Sequence, residues 1–184
     1  MAFHTLILGG VRSGKSRHAA AIATASGCAV TLIATGTAQD AEMAERIELH
    51  RANRPKEWIV VEEPVRLAAA LDAASTPSRI VIVDCLTLWL TNLMCGDDPG
   101  ALQRESSALL ERLQHLKGDC VLVTNEVGLG IIPANALARR FADEAGSLHQ
   151  RLAARCDRVI LMAAGLPLSL KGPGDTRPPA PGGC

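Results

Sequence analysis

The sequence predicts an α/β fold, a mostly parallel β-sheet flanked by helices, and three observations carry that reading. Short apolar runs alternate with longer stretches of helical periodicity, the pattern of repeated strand–helix–strand units. Some runs, such as "RIVIVD" at Arg79–Asp84, are apolar at consecutive positions, as a strand covered on both faces requires. The first run ends in a glycine-rich loop that opens straight into a helix, which makes the expected class a single P-loop NTPase-type domain.

Taken in order, Phe3–Leu8 reads as a strand and Lys15–Ser26 as a helix closed by Gly27. Ala29–Ala34 is a second strand. Asp40 suits the N-cap of a helix running to about Asn53, which Pro55 ends. Trp58–Glu62 is a third strand, Val65–Ala74 a helix and Arg79–Asp84 a fourth strand. Helices follow at Leu86–Cys95 and Ala101–Lys117, then a buried strand at Cys120–Asn125. A long helix, Asn135–Arg155, leads to a strand at Arg158–Ala163 and a short one at Pro167–Leu170. The expected organisation is one catalytic domain over 1–171. From Gly172 the chain reads "GPGDTRPPAPGGC", with almost nothing to bury, and is expected to be disordered.

Composition narrows the function. The chain has 184 residues, enough for one full core. Lys plus Arg and Asp plus Glu are 19 each, so the net charge is zero. With 2 Phe, 2 Trp and no Tyr, little is available for stacking bases, which argues against a nucleic-acid motor. The 6 cysteines form no C-x-x-C pair, and several sit in apolar runs, so they read as buried thiols of a reducing, cytoplasmic compartment. No run is long enough for a membrane span, and "MAFHTLILGG" lacks the basic start of a signal peptide.

Gly9–Ser16, "GGVRSGKS", fits the phosphate-loop pattern G-x-x-x-x-G-K-[ST] in its required setting between strand and helix. Gly9, Gly10 and Gly14 let the backbone curl its N–H groups inward at phosphate oxygens. Lys15 can reach the β- and γ-phosphates and Ser16 can ligate Mg²⁺. A partner carboxylate is expected at the end of a neighbouring apolar strand. Asp84 stands at such an end, either as a Mg²⁺ ligand, as the N-cap of the following helix, or as both. The strand ending "VTNEVG" has Glu126 where a regulatory GTPase would carry the lysine of its guanine signature, which counts against that class.

"RIELHRANRPKEW" sets His50 among Arg46, Arg51 and Arg54. Fixed positive charge lowers an imidazole's pKa and keeps it neutral and nucleophilic. The same guanidinium groups would hold a polyphosphate and its departing pyrophosphate. The alternative is a solvated helix face with pairs such as Glu42–Arg46. His4, His18, His115 and His149 read as packing or surface residues.

Together "GGVRSGKSRHAA", "IATG", "RIELHRANRPKEW", "VDCLTLWLTNLM" and the stretch from "VLVTNEVG" to "LPLSLK" resemble the bifunctional adenosylcobinamide kinase / adenosylcobinamide-phosphate guanylyltransferase family of cobalamin biosynthesis, over nearly all of residues 3–171. The resemblance implies two reactions. ATP or GTP phosphorylates the aminopropanol hydroxyl of adenosylcobinamide. GTP then guanylylates a histidine, here His50, and the GMP passes to adenosylcobinamide phosphate, giving adenosylcobinamide-GDP. The family's nucleotide contacts fall on Gly9, Gly10, Val11, Arg12, Ser13, Gly14, Lys15 and Ser16, on Ala34, Thr35 and Gly36, on Arg51, Ala52, Asn53 and Arg54, and on Glu62 and Asp84. A homotrimer is implied in the same way. The residues themselves agree in part: "ATG" lies at the carboxyl end of a strand, where open α/β sheets bind ligands. Glu62 ends the third strand, and either base or ribose recognition or helix capping suits it. Neighbouring Glu63 is equally placed, so the choice of Glu62 rests on the resemblance.

Overall fold

The computed structural model describes residues 2–37, 45 and 55–172. The expected helix at 40–53, with His50 and Arg51–Arg54, lies outside the described residues apart from Glu45, which is helical and exposed.

Seven strands form one sheet: β1 (His4–Gly9), β2 (Ala29–Ala34), β3 (Ile59–Glu62), β4 (Arg79–Asp84), β5 (Cys120–Val123), β6 (Arg158–Ala163) and β7 (Leu166–Lys171). Their spatial order is β3-β2-β4-β5-β1-β6-β7. All neighbouring pairs are parallel except β6–β7, a hairpin on the outer edge. Its turn residues, Ala164 and Gly165, both have positive φ, as a tight hairpin with right-handed strand twist requires.

Five helices accompany the sheet among the described residues: α1 (Lys15–Ala25), α2 (Leu67–Ala74), α3 (Leu86–Cys95), α4 (Ala101–Leu113) and α5 (Ala136–Arg155). Alternate strand residues feed two cores. Leu6, Leu8, Val81, Val83 and Leu122 pack against leucines of α2–α5 and the fully buried Trp89. Ile7, Ile80, Ile82, Val121 and Val123 face α1, which presents Ala19 and Ala23. Both faces of the central strands are therefore covered, which is why their sequences lack polar alternation. Each buried leucine contributes about 2 kcal/mol through removal of apolar surface from water.

Three expectations need revision. β5 lies between β1 and β4, so Asp84 is not on a strand adjacent to the phosphate loop but two strand spacings away, roughly 10 Å. β5 also ends at Val123 rather than Asn125. Beyond it, the backbone of Asn125 donates to Thr87 Oγ1 at 2.8 Å instead of continuing the ladder. α4 stops at Leu113, short of Lys117.

Candidate functional site

The carboxyl ends of the strands bring those predicted residues that are described to one edge of the sheet. In register, Ala34 lies beside both Glu62 and Asp84, and Asp84 beside Val123. Ile7, two residues before the phosphate loop, is level with Val123 on the other side of β5. Ala34–Gly36, Glu62, Asp84 and Gly9–Ser16 therefore share one rim, the position at which parallel sheets receive ligands.

Within the loop, Gly9 has φ 153° and Gly14 has φ 96°, both in the region that favours glycine. A Cβ on Gly9 would lie 2.5 Å from the Met162 carbonyl oxygen and 2.7 Å from Ser13 Oγ. Gly10 differs from the expectation: its φ is not positive, and nothing lies within 4 Å of an added Cβ. Arg12 carries the turn instead, at φ 56°. The loop is pinned from both sides. The Ser13 N–H donates to Gly10 O, the Gly165 N–H of the β6–β7 turn donates to Ser13 O at 3.0 Å, and the Glu126 N–H donates to Gly9 O at 3.0 Å. Val11 and Arg12 are exposed, Ser13 is buried, and Gly14 and Ser16 are half-buried.

Lys15 opens α1 and is only 7% exposed. Its Nζ donates to Gly10 O at 2.6 Å, and no carboxylate pairs with it among the described residues. Burial holds its pKa below the ordinary lysine value, against the opposing fields of Cys85 and Asp84. A buried ammonium with one carbonyl partner is incompletely compensated, and an anion such as a phosphate would complete it.

Asp84 ends β4 half-buried. It does not cap α3: the N-cap residue is Cys85, and no side chain caps that helix. The capping alternative for Asp84 therefore falls away. At β3 the two neighbouring carboxylates differ. Glu63 Oε1 accepts from the N–H groups of Val65 and Arg66 at 2.9 and 2.8 Å, so Glu63 serves the turn into α2 and Glu62 stands exposed at the strand end.

Thr35 is fully buried. Its Oγ1 donates to Cys85 O at 2.6 Å and accepts from the Cys85 N–H at 3.0 Å. Asn92, on α3, donates through Nδ2 to Thr35 O at 2.8 Å and Pro64 O at 3.1 Å, and its Oδ1 accepts from Thr37 Oγ1 at 3.3 Å. Asn92 thus ties the corner after β2 to the corner after β3. Sequence reasoning assigned no role to Asn92 or Thr87 and used Glu126 only to argue against a regulatory GTPase, because their partners Thr35, Asn125 and Gly9 come from distant elements.

Ser16 and Asp84 offer a hydroxyl and a carboxylate on the same rim, hard oxygens that fit Mg²⁺. No group of three or more His, Cys, Asp or Glu able to hold a metal occurs among the described residues. Two protein oxygens suit an ion whose remaining positions go to nucleotide phosphates and water.

A parallel sheet with this loop, a buried lysine and a strand-end aspartate defines a P-loop nucleotide-binding protein of the α/β class. The family model described as cobinamide kinase / cobinamide phosphate guanyltransferase matches residues 5–170, and the chain belongs to that family of bifunctional enzymes. It is 56% identical over 167 residues to the bifunctional adenosylcobalamin biosynthesis protein CobP of Pseudomonas aeruginosa, covering 91% of this chain and 96% of that one. To the bifunctional adenosylcobalamin biosynthesis protein CobU of Escherichia coli it is 41% identical over 179 residues, covering 90% and 98%. Among solved structures, a Pyrococcus horikoshii protein shares the fold at TM-score 0.56 and 8% identity, over 94% of this chain and 88% of that one.

Proposed function

We propose that this enzyme phosphorylates the aminopropanol hydroxyl of adenosylcobinamide with ATP or GTP, and then transfers GMP from GTP through a guanylyl-His50 intermediate to adenosylcobinamide phosphate, releasing pyrophosphate. The observation that carries the reading is the buried, incompletely compensated Lys15 in a phosphate loop, in a chain whose family performs both transfers. Backbone N–H groups of Gly9–Ser16 hold the triphosphate, and Lys15 neutralises charge that develops on it. Ser16 and Asp84 hold Mg²⁺, which supplies electrostatic stabilisation of the transferring phosphate. Ala34, Thr35, Gly36 and Glu62 form the neighbouring nucleoside contacts. His50 attacks the α-phosphorus, and Arg51, Ala52, Asn53 and Arg54 belong to the same nucleotide site.

The assembly is a cytoplasmic homotrimer with residues 1–171 as its catalytic domain. No helix among the described residues is long and apolar enough to cross a membrane. The substrates are small molecules, with no nucleic acid among them.

Chromatography of corrinoid products from wild type and His50→Ala tests the scheme. With ATP, both proteins should convert adenosylcobinamide to its phosphate. With GTP, only wild type should go on to adenosylcobinamide-GDP. Formation of that product by His50→Ala would remove the covalent histidine from the scheme.

A further inference from the structure

Glu126 is not accounted for by the phosphate loop or by the family's nucleotide contacts, yet the fold places it between them. It follows β5, the strand that separates β1 from β4. Its N–H donates to Gly9 O at the root of the phosphate loop, while the preceding Asn125 N–H donates to Thr87 Oγ1 in the first turn of α3, three residues beyond Asp84. The backbone at 125–126 is thus clamped to both halves of the phosphate site.

The carboxylate is held asymmetrically. Oε1 accepts from the Gly128 N–H at 2.6 Å. Oε2 has no hydrogen-bond donor among the described residues, and His149 Nδ1 lies 4.0 Å from it. His149 is buried, and its Nε2 meets Thr124 Oγ1 at 2.8 Å. Burial keeps this imidazole's pKa below its ordinary value, against the pull of Glu126, so the ring backs the carboxylate without neutralising it. Gly128 leaves the room required: a Cβ there would lie 3.0 Å from Oε1. A carboxylate serving only as a loop brace needs one oxygen. Here the second is left without a donor, on a half-buried residue whose backbone is tied to the first residue of the phosphate loop.

We propose that Glu126 is the carboxylate that receives the acceptor hydroxyl in the kinase step, with His149 as a positioning residue behind it. This rests on the kinase half of the function proposed above. The acceptor oxygen bonds to the γ-phosphorus as the bond to the β,γ-bridging oxygen breaks. The electron pair of that bond leaves with the nucleoside diphosphate, and the hydroxyl proton passes to Glu126 Oε2. In a loose transfer the proton moves late, so the carboxylate first orients the hydroxyl and then accepts its proton. Guanylylation of His50 has a neutral imidazole as nucleophile and no hydroxyl to deprotonate, so it does not call on Glu126.

The test compares two rates in the same preparations: cobinamide phosphorylation with ATP, and single-turnover guanylylation of the enzyme with GTP. In Glu126→Gln, which keeps an acceptor for the Gly128 N–H, the ratio of kinase to guanylylation rate should fall about 100-fold or more, with the KM for ATP little changed. Glu126→Asp should recover part of the loss. Gly128→Ala, which displaces the carboxylate without removing it, should lower the ratio by roughly tenfold and keeps the test open should Glu126→Gln not fold. An unchanged ratio, or equal loss of both rates, in a folded Glu126→Gln or Gly128→Ala protein overturns the proposal. So does Glu126→Asp performing no better than Glu126→Gln. A wild-type protein that does not phosphorylate cobinamide at all would instead bring down the functional reading, and this inference with it.

Discussion

The phosphate loop and the corner after β2 sit on the same rim of the sheet but are built in opposite ways. The loop curls on itself through neighbours in sequence, with Ser13 bonding Gly10 and Lys15 bonding Gly10, five residues back, while Gly165 and Glu126 pin it from outside. Its shape is set by Gly9 and Gly14 at positive φ. The Thr35 corner has no such local closure. Thr35 is held by Cys85, 50 residues on, and by Asn92, 57 residues on. The first region is a binding device that a short peptide motif specifies. The second is a surface that exists only when α3 has docked on the sheet. Removing the loop's charge should therefore strike chemistry with little effect on the global fold, whereas damage to the corner should loosen packing and nucleotide contacts together.

The largest expected contrast comes from Lys15→Ala. Both phosphoryl and guanylyl transfer should fall by about 10³-fold, since charge stabilisation in a desolvated site is worth several kcal/mol. The protein should melt no lower than wild type, because the change removes a buried cation that no carboxylate partners among the described residues. A melting point depressed together with activity would mean that the lysine is structural, and the two regions would no longer differ as described.

Gly9→Ala probes the loop's backbone. Its Cβ would meet the Met162 carbonyl at 2.5 Å, so the loop and β6 must separate. A loss of about 2 kcal/mol in urea unfolding is expected, together with weakened nucleotide binding. Gly10→Ala is the control and should be near neutral in stability, as nothing lies within 4 Å of its added Cβ.

At the corner, Thr35→Val keeps the shape and leaves the Cys85 N–H and C=O without their side-chain partner. A cost of about 2 kcal/mol is expected by chemical denaturation. Asn92→Leu should cost about as much and raise the KM for GTP more than it lowers kcat, because it frees the corners after β2 and β3 from one another. Unchanged GTP kinetics in either variant would separate the corner from the nucleotide site.

These differences also explain what could be read from the chain alone. Strand–helix alternation, the doubly apolar strands and the phosphate loop were legible, because each is written in consecutive residues. The position of β5 between β1 and β4 was not, because strand order depends on which crossovers pack, and no local pattern encodes it. Glu62 and Glu63 were indistinguishable until the turn into α2 drew Glu63 to its N–H groups. His149 read as a packing or surface residue; its contact with Thr124 joins α5 to the end of β5 and appears only in three dimensions. Asn92 was overlooked for the same reason. His50 and Arg51–Arg54 stay at the level of charge logic and family resemblance.

Small for each residue, a pH dependence is shared by both faces of the sheet. Burial lowers the pKa values of His4, His18 and His149; Arg158 adds to the effect at His18, while Asp157 and Asp119 oppose it at His4 and Glu126 at His149. Below about pH 6.5 the unfolded chain takes up protons that the folded chain refuses, so stability should fall as pH falls through that value. Each histidine that stays neutral costs about 1 kcal/mol per pH unit in that range. Urea midpoints at pH 7.5 and pH 5.5 measure the sum, and His149→Gln should flatten its share of the slope.

Intact-protein mass spectrometry after incubation with GTP and Mg²⁺ addresses the central claim most directly: GTP held by the phosphate loop guanylylates His50. The adduct should be kept at neutral or alkaline pH, since phosphoramidates are acid-labile. Wild type should gain the mass of one GMP, and His50→Ala and Lys15→Ala should not. Wild-type protein that binds GTP but gains no mass, or a His50→Ala protein that still does, would contradict the account.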